Sequence, residues 1–392
     1  KVLLKNVADI AISNVDKKSK DSEIPVTLCN FTDVYYNWSI TKTQCSKFMR
    51  ATATVNEIEK FKIINGDVAI TKDSETRDDI GVSTFFEDVS DDILLGYHCA
   101  LIRPNKSYLD GAYLNALLNT SYAKRYFAYN ASGSGQRFSL SIDSISNFPF
   151  ELPSLSVQLR ITNILGTLDK RLELCRRMTA SLLKQLDELY DYYFGDGNQA
   201  KQNCFGHDFF EILSGYPFDS STYSKGKYKI ITIKSIKMND FDTLAADCVE
   251  SIPLSIDAEC ILSCGDILIS LTGDTGRIAV VDEKDCLLNQ RVGKILCEDK
   301  YKVYSYALLR SPYAQRYISK NSVGTSQKNI SPIILSDIKT YLPDEDELKN
   351  FNSLAVPVFQ KYVAEQQRAK NIIQIKNAIL PLLMNGQVQV MN

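Results

Sequence analysis

SYAKRYFAYNASGSGQ, from Ser121 to Gln136, returns later in the chain as PYAQRYISKNSVGTSQ, from Pro312 to Gln327. The residues Tyr, Ala, Arg, Tyr, Asn, Gly and Gln recur in place without a gap, 191 residues apart. This period is far longer than the roughly 20 to 50 residues of solenoid and propeller repeats. The repeat therefore predicts a duplicated domain, in which each copy has a core of its own.

Length and composition are compatible with such a duplication. A chain of 392 residues suggests two or three domains, and 44% hydrophobic with 23% charged residues is typical of a soluble globular protein. No apolar run is long enough to span a bilayer, and the first residues, KVLLKNVADIAISNVDKKSK, lack a secretory hydrophobic region. We expect a cytoplasmic protein without membrane contact.

Cysteine, histidine and net charge narrow the possible functions. The ten cysteines include no CxxC pair, and His98 and His207 are the only histidines, so we expect reduced, mostly buried thiols and no metal site. The net charge of −2 does not favour nonspecific coating of nucleic acid, which usually requires a basic excess. The same net charge is compatible with a DNA reader whose basic residues are gathered on one face.

A long helix is predicted to follow each copy of the repeat. After the first copy, apolar residues recur in steps of three and four, which indicates a coiled-coil seam. This seam comprises Ile161, Ile164, Leu168, Leu172, Cys175, Met178, Leu182, Leu186, Leu189 and Tyr193. Pro153 and Ser154 favour the helix start, and Gly195 and Gly197 favour its end.

The second helix is predicted to be the coiled-coil partner of the first. Its seam residues are Phe351, Leu354, Val358, Tyr362, Ile372, Ile379 and Leu383. Pro357 predicts a kink or a fresh helix start, and Pro381 predicts early fraying. Glu365 and Lys376 also fall on this seam, so we expect the second half to be the weaker one.

The segments before the helices mix short strands and helices. GDVAITK at Gly66 and GDILISLTGDTGRIAVV at Gly265 each predict a turn, a short apolar strand and a polar loop, whereas ALLRSPYAQRYISK predicts a short amphipathic helix. The predicted fold class is α+β, with mixed α/β content and a near-twofold internal repeat. The predicted domains are 1–152, a central helix 153–195, a second globular domain 196–342 and a C-terminal helix 343–392.

Sequence signatures of catalysis are missing. The chain has no GxxxxGK[ST] phosphate loop, no GxGxxG that opens a helix, and no Asn-Pro-Pro-aromatic segment. Two histidines leave few candidates for general acid-base chemistry. The chain is predicted to be noncatalytic and to bind no cofactor.

Several segments resemble the specificity subunit of type I restriction-modification systems. They are LPSLSVQLRITNILGTLDKRLELCRRM, NGDVAITKDSETRDDIG, FFEILSGYPFDSSTYSKGKYKIITIKSI and GDILISLTGDTGRIAVV. The resemblance spans nearly the whole chain. Its more specific signals are Pro-x-x-x-x-Gln-x-Arg-Ile at the first helix (Pro153, Gln158, Arg160, Ile161) and Gly-Tyr-x-Phe (Gly215, Tyr216, Phe218).

The resemblance implies a division of labour between this chain and its partners. Each globular domain would be a target recognition domain for one half of a split sequence in double-stranded DNA. The antiparallel helices would separate the two domains and dock modification subunits in two copies, with restriction subunits as optional partners. Gln158 and Arg160 are the implied partner-binding residues. S-adenosylmethionine and ATP would belong to the partner subunits.

Polar loops that follow rigid strands are the candidate DNA contacts. Arg and Gln can bond two base-edge atoms at once, and small residues let the backbone approach a phosphate. The candidate residues are Thr71, Lys72, Ser74, Ser134, Gln136 and Arg137 in the first half, and Thr272, Thr275, Arg277, Arg291, Thr325, Gln327 and Lys328 in the second. Tyr122, Arg125, Tyr126, Tyr313, Arg316 and Tyr317 have helical spacing and are interpreted mainly as packing residues.

Another function remains open at the level of sequence. A coiled-coil interaction protein, or a decoy that captures modification subunits without reading DNA, would show the same helices. Polar and basic loops at matching places in both copies favour DNA.

Overall fold

The structure is a computed structural model that describes residues 1–90, 92–135, 137–195, 202–325 and 327–387. The chain forms two compact units. Unit 1 contains residues 1–170 and 373–392, and unit 2 contains residues 171–372. Both long helices contribute one part to each unit.

Most strands of unit 1 belong to one five-stranded and two three-stranded sheets. Its strands are β1 (Val2–Leu3), β2 (Ala8–Ile12), β3 (Ile24–Cys29), β4 (Ser39–Ile40), β5 (Met49–Ala53), β6 (Val68–Thr71), β7 (Asp73–Ser74), β8 (Ser83–Phe86), β9 (Ile93–Leu95), β10 (Cys99–Pro104), β11 (Ser132–Ser134), β12 (Arg137–Ser139) and β13 (Pro149–Phe150). The sheet orders are β2-β10-β6-β8-β4, β5-β3-β9 and β11-β12-β7, and β1 pairs with β13.

Six short helices accompany these strands before the first long helix. They are α1 (Phe31–Tyr36), α2 (Lys42–Cys45), α3 (Val55–Phe61), α4 (Gly111–Leu118), α5 (Ser121–Asn130) and α6 (Ile142–Ser146). The first long helix, α7, runs over Leu155–Phe194.

Unit 2 repeats this arrangement. Its strands are β14 (Cys204–Phe205), β15 (Phe210–Ser214), β16 (Tyr228–Ile231), β17 (Ile236–Lys237), β18 (Asp240–Phe241), β19 (Cys248–Val249), β20 (Ile261–Leu262), β21 (Ile267–Ser270), β22 (Ile278–Val280), β23 (Cys286–Leu288), β24 (Val292–Cys297) and β25 (Lys339–Thr340). Its helices are α8 (Asp299–Arg310), α9 (Pro312–Asn321), α10 (Pro332–Ser336) and the second long helix α11 (Glu345–Met384).

The two units share strand order as well as content. The order β15-β24-β21-β22 matches β2-β10-β6-β8, and β19-β16-β23 matches β5-β3-β9. The equivalent pairs β3 with β9 and β16 with β23 are both parallel, and β5 and β19 are antiparallel to their neighbours in these sheets. Unit 1 has a further parallel pair, β4 with β8. The internal duplication predicted from the repeated stretch is therefore confirmed, and the fold is mixed helix and strand as expected.

The apolar cores explain why the long helices form. In unit 1, Ile161 and Leu165 of α7 are buried in one cluster with Leu380 and Leu383 of α11. In unit 2, the later part of α7 and the earlier part of α11 share the main core, through Leu182, Leu183, Leu186, Tyr190, Phe194, Leu348, Phe351, Ala355, Phe359 and Tyr362. The start of each helix thus packs against the end of the other, so the two helices run antiparallel.

Three details of α11 differ from the sequence prediction. The helix continues through Pro357 without a fresh start, and it continues past Pro381 to Met384. Both prolines lie on the exposed face, where a missing backbone hydrogen bond leaves no buried carbonyl without a partner. Leu354 is not a seam residue, because its side chain is 50% exposed and Ala355 and Phe359 occupy the buried positions instead.

Two polar residues also lie on the buried face of α11. Glu365 and Lys376 are buried on α11, as their positions in the pattern predicted. Lys376 donates to Asp169 of α7 at 2.5 Å and lies 3.5 Å from the centre of the Trp38 ring, all within unit 1.

The short amphipathic helix predicted over ALLRSPYAQRYISK is two helices. Helix α8 ends at Arg310 and α9 begins at Pro312. The hydroxyl of Ser311 accepts a hydrogen bond from the Ala314 amide at 3.2 Å, which caps α9. Within the described residues, no helix combines the length and hydropathy needed to cross a membrane.

Candidate nucleic-acid interface

The helix at the start of each repeated stretch is held by equivalent tyrosines. The hydroxyl of Tyr122 donates to the Pro149 carbonyl at 2.7 Å, and that of Tyr313 donates to the Lys339 carbonyl at 2.7 Å. Tyr126 and Tyr317 likewise donate to backbone carbonyls, at 3.1 and 2.9 Å. The tyrosines therefore fix α5 and α9 to the body of each unit, as the packing interpretation predicted. Arg125 and Arg316 are exposed on the same helices.

A glycine opens the loop that follows each of these helices. Gly133 has φ +128° and Gly324 has φ +121°. A Cβ at either position would lie 2.2 Å from a backbone carbonyl oxygen, that of Arg137 or of Gln327. Only glycine fits both the backbone conformation and this close approach. The recurrence of glycine in the two copies is thus a backbone requirement of the loop.

In unit 2, two candidate loops that are distant in sequence lie against each other. The Gly273 amide donates to the Lys328 carbonyl at 2.8 Å, and the Ile330 amide donates to the Leu271 carbonyl at 2.9 Å. Thr272 also forms a β-bridge with Asn329. The loop after β21 and the repeated loop therefore form one surface.

This surface lines a groove of about 690 Å³. Six of the seven candidates in the second half line it, namely Thr272, Thr275, Arg277, Thr325, Gln327 and Lys328. The remaining lining residues are Ile233, Lys234, Ser270, Gly273, Asp274, Gln315 and Ser319. We call it the unit 2 groove. Its polar and basic side chains can donate to phosphate oxygens and to base-edge acceptors.

Hydrogen bonds to the backbone fix the shape of the groove wall. The Ser270 hydroxyl donates to the Asp274 carbonyl at 2.5 Å and accepts from the Arg277 amide at 2.9 Å. The Gln315 side chain donates to the Gly276 carbonyl at 3.0 Å, and the hydroxyls of Thr275 and Ser322 lie 2.7 Å apart. A loop held at so many points presents its outward side chains in a defined geometry before any ligand binds.

The equivalent loops also meet in unit 1. Strand β7 pairs with β12, so that Ser74 faces Phe138, and the Leu140 amide donates to the Lys72 carbonyl at 2.7 Å. Ser134 and Arg137 are exposed and paired across the hairpin. Gln136, another candidate, lies outside the described residues. The guanidinium of Arg77, which the sequence interpretation did not include, lies 5.0 Å from the centre of the Phe138 ring.

A small ionic cluster lies at the base of these unit 1 loops. The Asp73 carboxylate contacts His98 Nδ1 at 2.5 Å and accepts from Lys72 Nζ at 2.9 Å. Burial would raise the pKa of Asp73, but hydrogen bonds from His98, Lys72 and Ser139 together hold it below its ordinary value. Lys72 is therefore already paired with a carboxylate in this structure, whereas Arg137 is exposed.

Two candidate residues need correction because they are buried. Thr71 is 0% exposed, and its hydroxyl accepts from the Val82 amide at 3.0 Å, so it supports the loop from below. Gln158 is also 0% exposed. It accepts from the Asp110 amide at 2.8 Å and donates to the carbonyls of Tyr108 and Pro153 at 2.9 and 2.8 Å. Gln158 therefore ties the start of α7 to unit 1 and cannot reach a partner in this conformation.

The structure also shows the exposure of the remaining candidates and which further residues line the unit 2 groove. Arg160 is partly exposed on α7. Arg291 is exposed but is absent from the lining of the unit 2 groove. Lys234, Asp274 and Ser319 line the groove although they were not among the candidates. Ser319 lies on α9 within the repeated stretch, and Lys234 lies in the segment KYKIITIKSI, so neither belongs to a candidate loop. Asp274 lies inside the candidate loop but was not named as a candidate.

Comparison with known proteins supports the architecture. The family model for the type I restriction-modification DNA specificity domain matches twice, over residues 3–184 and 202–377. The chain is 23% identical over 355 residues to the MjaX type I restriction enzyme specificity subunit of Methanocaldococcus jannaschii, which covers 85% of this chain and 81% of that protein. It is 21% identical over 407 residues to the HindI specificity subunit of Haemophilus influenzae, with 84% and 88% covered.

A solved structure shows the same fold. The crystal structure of the S subunit of a type I restriction-modification system from M. genitalium superposes with a TM-score of 0.57 at 14% identity, covering 100% of this chain and 96% of that one.

The two repeated α+β domains correspond to the two matches of the DNA specificity domain, which places the chain in the class of type I specificity subunits. The chain belongs to the type I restriction-modification DNA specificity family, with two copies of the family domain. The resemblance found in the sequence is thus confirmed.

Proposed function

We propose that this chain is the noncatalytic subunit that reads a split double-stranded DNA sequence, with residues 1–152 reading one half and residues 196–342 the other. One observation carries the proposal. Two loops chosen separately from the sequence line a single groove in unit 2, and the equivalent loops pair in unit 1. Each unit therefore carries one such surface. Two surfaces of the same architecture, with different side chains, suit a target that has two different halves.

The chemistry of the groove suits base reading together with phosphate binding. Arg277 and Gln327 can each bond two atoms of a base edge, whereas Lys234 and Lys328 carry the positive charge that phosphates attract. The recognition loops differ between the units, with Arg137 in one and Lys328 at the equivalent position of the other. Different loops would read different half-sites.

The proposed partners are modification subunits, two copies of which would dock on the helices α7 and α11. Two repeats offer two similar surfaces, which is the reason for two copies. Because Gln158 is buried, docking would use the exposed face of α7, where Arg160 remains a candidate. S-adenosylmethionine and ATP would bind to modification and restriction subunits, so this chain would need no cofactor. Such a complex would act on chromosomal DNA, hence in the cytoplasm.

Dependence on partners provides the test. With a net charge of −2, the isolated chain should bind DNA weakly, and adding the modification subunit of its host should raise affinity by supplying phosphate contacts. Gel-shift assays with the chain alone and with the complex, followed by methylome sequencing, measure both affinity and target. A complex that modifies a split sequence supports the proposal.

Two results would count against this proposal. Tight, sequence-specific binding by the chain alone would contradict partner dependence. A stable complex that neither binds nor modifies DNA would favour the decoy function instead.

A further inference from the structure

The unit 2 groove contains an ion pair that the candidate loop presents outward. Arg277 Nη2 donates to the carboxylate of Asp274, three residues earlier. The Arg277 side chain is 38% exposed and the Asp274 side chain 70% exposed, so both remain accessible to a ligand. Both residues line the groove together with Lys234 and Lys328.

The carboxylate of Asp274 indicates which part of DNA this loop contacts. Asp274 would repel a phosphate, and an arginine that serves only a phosphate gains nothing from a competing carboxylate beside it. A base edge has no net charge. The pair is therefore better suited to base edges, and the two lysines of the groove are better suited to the backbone.

The Asp274 carboxylate restricts the orientation of the Arg277 guanidinium. An arginine has five N–H donors in a planar fork, so one edge can bond Asp274 while another points into the groove. The loop backbone is itself fixed by Ser270, which bonds both the Asp274 carbonyl and the Arg277 amide. Side chain and backbone are thus both set before binding, which lowers the entropy that binding would otherwise cost.

The geometry points to guanine as the base read here: we propose that Arg277 donates to O6 and N7 of a guanine in the major groove, and that Asp274 is the positioning residue that orients it. Guanine is the base that presents two adjacent acceptors to a guanidinium. Among the described residues of unit 1, Val82 stands at the position of Arg277, because its amide makes the matching hydrogen bond, so the arginine of the pair is not repeated there. The guanine contact should therefore belong to one half-site. This inference rests on the proposed function.

Base analogues offer a direct test with the assembled complex. Once the split target is known, each guanine in it is replaced singly by 7-deazaguanine, which lacks the N7 acceptor, and methylation rates are measured. We expect one guanine position to lose about 10- to 100-fold in rate with the unmodified protein. In Arg277→Ala, that position should become indifferent to the analogue, while every other position keeps its response.

Variants of Asp274 separate positioning from folding. Asp274→Ala should reduce discrimination at the same guanine only, and Asp274→Glu should restore part of it. Arg50→Lys is the matched control, since Arg50 pairs with Asp92 at 3.2 Å on an exposed surface of unit 1. The control should leave every position unchanged. Thermal unfolding of each variant checks that the fold is intact.

The outcomes distinguish this inference from the proposed function. Suppose that the complex modifies a split sequence, but that Arg277→Ala retains all analogue responses or weakens modification equally on every sequence. The guanine contact is then wrong, and the proposed function stands. If the complex modifies no split sequence, both are wrong.

Discussion

Gly81 and Gly276 occupy equivalent positions in the two units, next to the candidate DNA-contacting loops. Their φ angles are +81° and +84°, and their amides donate to the carbonyls of Thr71 and Ser270. A Cβ on Gly81 would lie 2.9 Å from the Phe127 side chain, and a Cβ on Gly276 would lie 2.8 Å from that of Ile318. Both backbone strain and close packing therefore exclude a side chain at these positions.

The substitution Gly276→Ala should lower the free energy of unfolding of unit 2 by about 1 to 3 kcal/mol, because alanine resists a positive φ and Ile318 must move. Gly166→Ala is the control. Gly166 lies within α7 with open space around its Cβ position, so alanine there should stabilise the helix by about 0.5 to 1 kcal/mol. Denaturant titrations measure both changes, and equal effects would contradict this interpretation.

Asp282 provides a residue-scale prediction that depends on pH. Its side chain is buried, and it pairs with Lys370 of α11 at 2.5 Å. Burial raises the pKa of Asp282 from 3.8 to about 6 despite the attraction of Lys370. The folded chain therefore retains this proton over a range in which the unfolded chain has lost it. The contribution of the group to stability is complete below about pH 4 and is lost as the pH rises to about 6.

Removing the titrating group should abolish this pH dependence. Relative to Asp282→Asn, the free energy of unfolding of the unmodified chain should fall by at most about 3 kcal/mol between pH 4 and pH 7. Chemical denaturation of both proteins at several pH values measures the difference. A difference that stays constant, or that grows with pH, would show that Lys370 compensates fully for burial.

At the scale of elements, the repeated loops should each control one half-site. Arg137→Ala in the loop of unit 1 should relax sequence preference in one half of the target, and the double change Gln327→Ala with Lys328→Ala in unit 2 should relax the other half. The expected cost is about 1 to 3 kcal/mol for each lost base-edge contact. Methylome sequencing with each variant identifies the affected half. If both variants weakened every sequence equally, the loops would be phosphate clamps.

The two long helices show which buried positions can be predicted from the sequence. The spacing of apolar residues predicted part of the α7 seam, since Ile161, Cys175, Leu182 and Leu186 are buried. It missed buried residues next to predicted positions, which are Leu165, Leu183, Tyr190 and Phe194. The seam of α11 was wrong at Leu354, since Ala355 and Phe359 are the buried residues there, whereas Glu365 and Lys376 are buried as their positions predicted. Their burial depends on partners such as Asp169, which lies more than 200 residues away in the chain.

At the candidate interface, too, the sequence did not reveal which side chains are buried. Glycines and polar residues marked the loops correctly as exposed turns, but Thr71 and Gln158 have side chains of the right type in buried positions. Local sequence does not reveal such burial, because it results from packing between distant segments. Lys234 reaches the unit 2 groove for the same reason.

At the scale of the whole molecule, we propose that the length of α7 and α11 sets the number of base pairs between the two half-sites. Contacts divide the chain between residues 170 and 171 on α7, and between residues 372 and 373 on α11. Seven residues inserted at both places would leave the internal contacts of each unit unchanged. A heptad also restores the same helix face, so the seam stays in phase.

The methylome of a host that expresses this heptad variant with its modification subunit tests most directly whether α7 and α11 set the gap between the half-sites. Seven residues add about 10 Å of helix, which corresponds to roughly 3 base pairs. If the helices set the distance, the same two half-sites should be separated by a gap that is longer by about that amount. A four-residue insertion breaks the phase and should impair assembly. An active heptad variant whose gap is unchanged would contradict the account, since the distance between the half-sites would then be set by something other than these helices.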